Sequence, residues 1–164
     1  TSGTLKYEIF LATREGFAIR FSENDVRSMG RTASGVKGIT LRPEDVIVAG
    51  AIIYASEDLS GKTILTISEE GYGKRTKLEE YRLQSRGGKG ITNLKKNTKT
   101  GKISDVKIVD DSSEIMLITS EGTLIRTQVN SISIIGRATS GVRIMKVREN
   151  EKVASTVKIT PEIE

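Results

Sequence analysis

An internal repeat constrains the fold of this chain more than any other feature. Three segments align on Gly16, Gly71 and Gly122, which lie roughly 50 residues apart. In every copy a glutamate directly precedes the glycine, and an arginine follows it by four residues. Isoleucine, a large apolar residue and a hydroxyl-bearing residue also recur at fixed positions before the glycine. This agreement indicates one structural unit that is repeated three times.

Each unit begins with a predicted β-hairpin. Short apolar, β-prone runs such as Ile115 to Thr119 precede the glycine, and a second run follows it. The glycine can adopt positive φ without steric cost, which favours a tight turn between the two strands. Because side chains alternate along a strand, we expect the arginine in the returning strand to point away from the core. The aligned arginines are Arg20, Arg75 and Arg126.

A glycine cluster and another pair of β-prone runs complete each unit. Four strands in about 50 residues are typical of a propeller blade, and no segment has a sustained helical period. The sequence therefore predicts an all-β fold with a single domain over residues 1–164, built from three four-stranded blades. The predicted blades comprise residues 9–55, 62–109 and 113–160.

The glycine clusters allow two interpretations. One is a plain glycine-rich turn between blades. The other is a DNA contact, because small residues let a duplex backbone approach and exposed N–H groups can meet phosphate oxygens. Repetition favours the second, since a basic residue lies two positions after the aligned glycine in each copy, at Lys37, Lys89 and Arg143. The spacing fits neither a P-loop nor a dinucleotide-binding fingerprint.

The composition removes most catalytic chemistry. Cysteine, histidine and tryptophan are all absent, which excludes disulfides, Cys/His zinc sites and imidazole catalysis. Asp110 and Asp111 are candidate metal ligands, but adjacent side chains on a strand face opposite ways. We therefore expect no catalytic, cofactor-binding or metal-binding residues. The absence of cysteine fits a reducing cytoplasm, and no apolar run approaches the ~20 residues of a membrane span.

The basic charge is local. Residues 62–107 carry 12 basic and 5 acidic side chains, whereas the segments on both sides are slightly acidic. A localised basic field attracts polyanions, although an unevenly charged solvated surface is the alternative. Aromatic residues make up only 4% of the chain, so platforms for stacking single-stranded bases are scarce. The pattern therefore favours contact with the backbone of a duplex.

One of the glycine clusters resembles a known motif. Residues 84–90 are similar to the seven-residue box of the gyrase-type C-terminal domain, found in the larger subunit of DNA gyrase, and six of seven positions match. Ser85 replaces the second basic residue of the box. The segments that follow Gly71 and Gly122, and the Gly-Arg-x-x-Ser-Gly-Val stretches at Gly30 and Gly136, resemble blades of the same domain. The box-like loop consists of Gln84, Ser85, Arg86, Gly87, Gly88, Lys89 and Gly90.

The resemblance implies a β-pinwheel, a propeller-like disc that wraps duplex DNA around its basic perimeter. The family domain usually has six blades, so three blades imply a partial disc, and their order resembles the second half of the domain. Because the box that supercoiling requires normally lies in the first blade, its decisive role is not transferred to residues 84–90. The family's strand-cleaving tyrosine belongs to another domain.

The implied function is non-sequence-specific binding, wrapping and bending of duplex DNA in support of ATP-dependent negative supercoiling. The implied partners are double-stranded DNA and the other subunits of the gyrase heterotetramer, in a bacterial, nucleoid-associated cytoplasmic setting. This domain needs no cofactor, while the holoenzyme uses ATP and Mg²⁺. The alternatives are the related domain of topoisomerase IV and a protein-interaction propeller, and a three-blade chain is expected to self-associate through exposed blade faces.

The candidate DNA-binding residues are cations in or beside the repeated motifs. Arg75, Arg86, Lys89 and Lys74 are the first candidates. The next are Lys95, Lys96, Arg31, Lys37, Arg126, Arg137 and Arg143.

Overall fold

The computed structural model describes residues 7–55 and 57–159, and these residues form twelve β-strands in three sheets. Three short 3-10 turns accompany the strands, and the described residues contain no α-helix. No helix among them is long and apolar enough to cross a membrane. The predicted all-β, propeller-like fold class with three blades is confirmed.

The strands follow the repeat closely. The first copy contributes β1 (Tyr7–Thr13), β2 (Phe17–Ser22) and β3 (Ile47–Tyr54). The second contributes β4 (Thr63–Ser68), β5 (Tyr72–Lys77), β6 (Leu83–Gln84), β7 (Ile91–Thr92) and β8 (Ile103–Val109). The third contributes β9 (Glu114–Thr119), β10 (Leu124–Gln128), β11 (Val142–Arg143) and β12 (Val153–Ile159). A 3-10 turn follows the second strand of each copy, at Glu23–Asp25, Leu78–Glu80 and Val129–Ser131.

Three antiparallel strands from one copy form the body of each sheet. In the first sheet, β1 pairs with β2 on one side and with β3 on the other. The second sheet repeats this arrangement with β4, β5 and β8, and the third with β9, β10 and β12. The hairpin glycines Gly16, Gly71 and Gly122 all have positive φ, as the predicted turns require. The hairpin of each repeat is therefore where the sequence places it.

The outer strands come from the following copy. Strands β6 and β7 of the second copy pair with β2 of the first sheet, and β11 of the third copy pairs with β5 of the second sheet. This corrects the expectation that each unit closes its own blade with a further pair of strands. Only the last strand of each copy stays in its own sheet, while the glycine cluster before it crosses to the preceding sheet.

The apolar core lies between successive sheets. Phe10 and Ala12 of the first sheet pack in one cluster with Tyr81 and Leu94 of the second copy. The ring of Tyr81 meets the ring of Phe10 edge-on, with centroids 5.1 Å apart. A second cluster joins the second sheet to the third copy in the same way, through residues such as Leu65 and Met145. Burying these faces holds the exchanged segments in place.

Candidate nucleic-acid interface

The glycine clusters line the outer edge of the sheets and touch one another in sequence. The order β3-β1-β2-β6 places the exchanged strands at the edge opposite β3. There the amide of Thr40 donates to the Gly88 carbonyl at 2.9 Å, and the amide of Lys95 donates to the Thr139 carbonyl at 3.0 Å. These two bonds occupy equivalent positions in successive copies. We call this edge, formed by residues 30–42, 84–97 and 135–143, the rim.

The strand register corrects the alignment of the glycine clusters. Ile91 pairs with Ala18 and Val142 pairs with Gly73, which are equivalent positions of the first and second sheets. Gly90, rather than Gly87, is therefore the equivalent of Gly141. It follows that Lys89 aligns with Ser140, and the regular series of Lys37, Lys89 and Arg143 predicted from the sequence does not exist in the structure.

The clearest need for glycine in the clusters is close packing on protein. A Cβ added to Gly90 would lie 2.5 Å from the carbonyl oxygen of Ala18, and one added to Gly141 would lie 2.7 Å from that of Gly73. Both glycines have positive φ. At these two positions the structure therefore supports the turn interpretation, since the glycine admits the neighbouring sheet rather than a DNA backbone.

Lys74 is not a surface cation, although it was among the first candidates. Its side chain is fully buried, and its ammonium donates to the carbonyl oxygens of Gly136, Arg137 and Thr139 at 2.6–3.0 Å. Burial lowers its pKa from 10.5 to about 8. The ammonium thus fastens the third copy's glycine cluster to the second sheet, and it cannot reach a phosphate. The sequence did carry a signal, because Lys74 aligns with the apolar Ile19 and Ile125.

Arg75 also lies inside the molecule. Its Nε donates to the Ile132 carbonyl at 2.8 Å, and its guanidinium forms an ion pair with Asp111. Arg20 holds the carbonyls of Leu78 and Tyr81 in the same manner, at 3.2 and 3.1 Å. The aligned arginines do leave the plane of their own sheet, as predicted, but these two enter the junction with the next copy. They bind the carbonyls of its 3-10 turn instead of facing solvent.

Four further candidates are engaged by the protein. Arg86 is half-buried and donates to the carbonyls of Asp25 and Lys37, which ties the first two clusters together. Arg137 donates to the Thr92 carbonyl at 2.6 Å. Lys96 pairs with Glu15, and Arg126 pairs with Glu114. Arg86 and Arg137 therefore brace the rim, while Lys96 and Arg126 are partly neutralised.

The remaining candidates are exposed on the rim. Among the described residues, the side chains of Arg31, Lys37, Lys89 and Lys95 are exposed and have no hydrogen-bonding or ion-pair partner. Arg143 is exposed as well, with its guanidinium 5.3 Å from the centroid of the Tyr72 ring. The structure thus divides the predicted cations into a buried group that builds the rim and an exposed group that lies on it.

Two exposed cations beside the rim were not among the candidates. Arg27 follows the turn that accepts a bond from Arg86, and Lys99 lies in the turn whose Asn97 contacts Ser140. Neither occupies an aligned position in the repeat, so the sequence pattern carried no signal for them. Their placement depends on the exchanged segments, which the register alone defines.

Other cations of the central stretch are paired away from the rim. Lys62 pairs with Asp110 at 3.3 Å, and Lys107 pairs with Asp105 at the same distance. Hydrogen bonds from Ser112, together with Lys62, lower the pKa of Asp110 to about 2. Asp111 instead binds Arg75, so the two adjacent carboxylates serve different partners. The described residues contain no group of three or more side chains suited to a metal ion.

Comparisons with known proteins agree on one family. The family model described as "DNA gyrase C-terminal domain, beta-propeller" matches residues 7–53, 62–110 and 113–160. The GyrA-type gyrase polypeptide of Lawsonia intracellularis is 50% identical over 145 residues, which cover 88% of this chain and 17% of that protein. The chain thus spans less than a fifth of the length of such relatives.

Two solved structures are close in fold. The C-terminal domain of DNA topoisomerase IV superposes with a TM-score of 0.86 and 29% identity, over 95% of this chain and 47% of that one. A DNA gyrase A C-terminal domain gives a TM-score of 0.82 and 28% identity, over 93% of this chain and 50% of that one. The family matches do not favour the topoisomerase IV or protein-interaction alternatives.

Proposed function

Because this chain belongs to the DNA gyrase C-terminal domain family, we propose that it binds duplex DNA without sequence specificity and bends it along the rim. The observation that carries the proposal is the placement of Arg31, Lys37, Lys89 and Lys95. All four are exposed, unpaired within the described residues and located on successive glycine clusters of one edge. A duplex that follows this edge meets a cation at each cluster.

The contacts would be made chiefly to phosphates. Lysine and arginine side chains at a convex edge neutralise backbone charge and release counterions, and they position a duplex without reading its bases. Bending a 20–30 bp site by 40–90° costs on the order of 1–6 kcal/mol. Several phosphate contacts spread along the rim can offset this cost, whereas one cluster alone cannot.

In the whole protein, this binding would support ATP-dependent negative supercoiling by wrapping DNA next to the strand-passage machinery. The domain itself would be non-catalytic, with ATP and Mg²⁺ used elsewhere in the gyrase heterotetramer. The absence of histidine and cysteine agrees with a binding role. The setting would be the bacterial cytoplasm, with the nucleoid as the binding partner's location.

A salt titration of duplex binding tests the proposal. Each lost phosphate contact lowers the slope of log K against log[salt] by about 0.9, so K89A/K95A is expected to lower it by about 1.8. The matched control is K62A/K152A, which removes the same charge from lysines that already pair with Asp110 and Glu70. Equal slopes for wild type and K89A/K95A, or an equal loss in both variants, would overturn the proposal.

A further inference from the structure

The chain contains the same inter-sheet junction twice. At each junction the turn glycine carbonyl of one copy, Gly16 or Gly71, accepts two amide N–H groups from the next copy. The arginine of the returning strand binds the carbonyl at the end of the next 3-10 turn, at Tyr81 or Ile132. A left-handed glycine, Gly90 or Gly141, then packs on the strand edge. These three features define the junction.

The third sheet carries the receiving half of this junction with no described strand on it. Strand β10 pairs only with β9, and Leu124 on β10 is 54% exposed, whereas the equivalent Ala18 is buried. A Cβ on Gly122 would have no atom within 4 Å, but one on Gly71 would lie 2.2 Å from the Met145 carbonyl. The edge of β10 is therefore built like those of β2 and β5, without an occupant among the described residues.

The first copy carries the donating half with no sheet beneath it. Val26 is 37% exposed, although its equivalents Tyr81 and Ile132 are 1% and 3% exposed. Gly35 has φ 79°, the same value as the docked Gly141, yet a Cβ on Gly35 would have no atom within 4 Å. Residues 26–37 thus hold the local conformation of the docked segments while they lie exposed.

We propose that two copies of this chain join by exchanging these halves. Residues 26–37 of each copy pair with the β10 edge of the other, as a strand added to an open sheet edge. The occupant is a second copy because one chain carries both complementary halves, and each matches a junction that the chain already forms. The exchange is reciprocal and gives a symmetric dimer. Its six sheets fall within the four to eight blades of closed propellers.

The two existing junctions define the contacts of the new one. Val36 pairs with Leu124, as Val142 pairs with Gly73. Gly35 packs on the Leu124 carbonyl, and Arg126 turns from Glu114 to the carbonyl of Val26. This edge-to-edge pairing differs from the face-to-face self-association expected from the sequence, and it does not depend on DNA binding.

Light scattering and sedimentation over a range of protein concentrations test the association. The wild-type chain is expected at twice its 17.9 kDa mass. Gly35→Ala should weaken the dimer at least tenfold, because alanine is strained at positive φ and its Cβ would press on the partner strand. Gly30→Ala is the matched control, since Gly30 has an ordinary φ and open space around it. A strictly monomeric wild type, or equal effects of the two variants, would overturn the proposal.

A cross-link tests the register in a chain that has no native cysteine. In V36C/L124C the two exposed positions face each other across the proposed ladder, at a distance suited to a disulfide. Oxidation should give a covalent dimer in denaturing gels, and the control V46C/L124C should not. Monomer alone, a ladder of higher species, or equal dimer from both variants would contradict the reciprocal exchange.

Discussion

A single aligned position serves different purposes in the three copies. The arginine four residues after the turn glycine is buried at Arg20 and Arg75, where it binds carbonyls of the next copy, but is exposed at Arg126. Its chemistry is constant, and its environment depends on whether a following copy is docked. The sequence predicted the position and the residue type, but not the burial, because burial depends on a neighbour that is distant along the chain.

The contrast between Arg75 and Arg126 gives the first prediction. R75A should lower the free energy of unfolding by about 1–3 kcal/mol, because the buried Ile132 carbonyl loses its donor. R126A in dilute protein should change it by no more than about 1 kcal/mol, since its ion pair with Glu114 is exposed. Urea denaturation of both variants measures the difference. Equal losses would show that the aligned arginines do not differ in role.

Lys74 gives a pH-dependent prediction. Its folded-state pKa of about 8 lies below the ordinary 10.5, so the unfolded chain binds the extra proton between these values. The free energy of unfolding of the wild type should therefore rise between pH 8 and pH 10.5 relative to that of K74M, by at most about 3 kcal/mol. Below pH 8 the difference should be constant. Parallel stability curves for the two proteins across this range would contradict the assignment.

At the scale of elements, the hairpins were predictable and the exchange was not. Apolar runs flanking Gly16 and Gly71 specify the strands, because alternation and turn chemistry are local. The exchanged strands β7 and β11 contain only two residues each, which is too short for any periodic signal. Sequence matching then aligned Gly87 with Gly141, whereas the register aligns Gly90. The buried cations were misplaced for the same reason.

Glycine in the exchanged segment gives the prediction at this scale. G90A should destabilise the protein by at least ~1–3 kcal/mol, because Gly90 has φ 76° and its Cβ would meet the Ala18 carbonyl. Gly61→Ala is a matched control, since Gly61 has ordinary φ and nothing within 4 Å of a Cβ. Thermal unfolding of both variants distinguishes them. A G90A variant as stable as G61A would argue against the exchanged packing.

At the scale of the whole molecule, the exchange explains why the rim exists. Each glycine cluster is fixed on the preceding sheet by a buried contact such as that of Lys74, so consecutive clusters lie side by side. The inner strands β3, β8 and β12 pack in order on the opposite side. The exposed cations therefore follow one curved edge, and a stiff duplex can contact all of them only by bending.

The most direct test of this account is the bending of a 30-bp duplex, measured by energy transfer between dyes at its two ends. The wild-type chain should increase the transfer, and R31A/K37A/K89A/K95A should abolish the increase. A control that removes the same charge from paired lysines, K62A/K102A/K107A/K152A, should retain most of it. Undiminished bending by the rim variant, or equal loss in both, would contradict the claim that DNA lies along the rim.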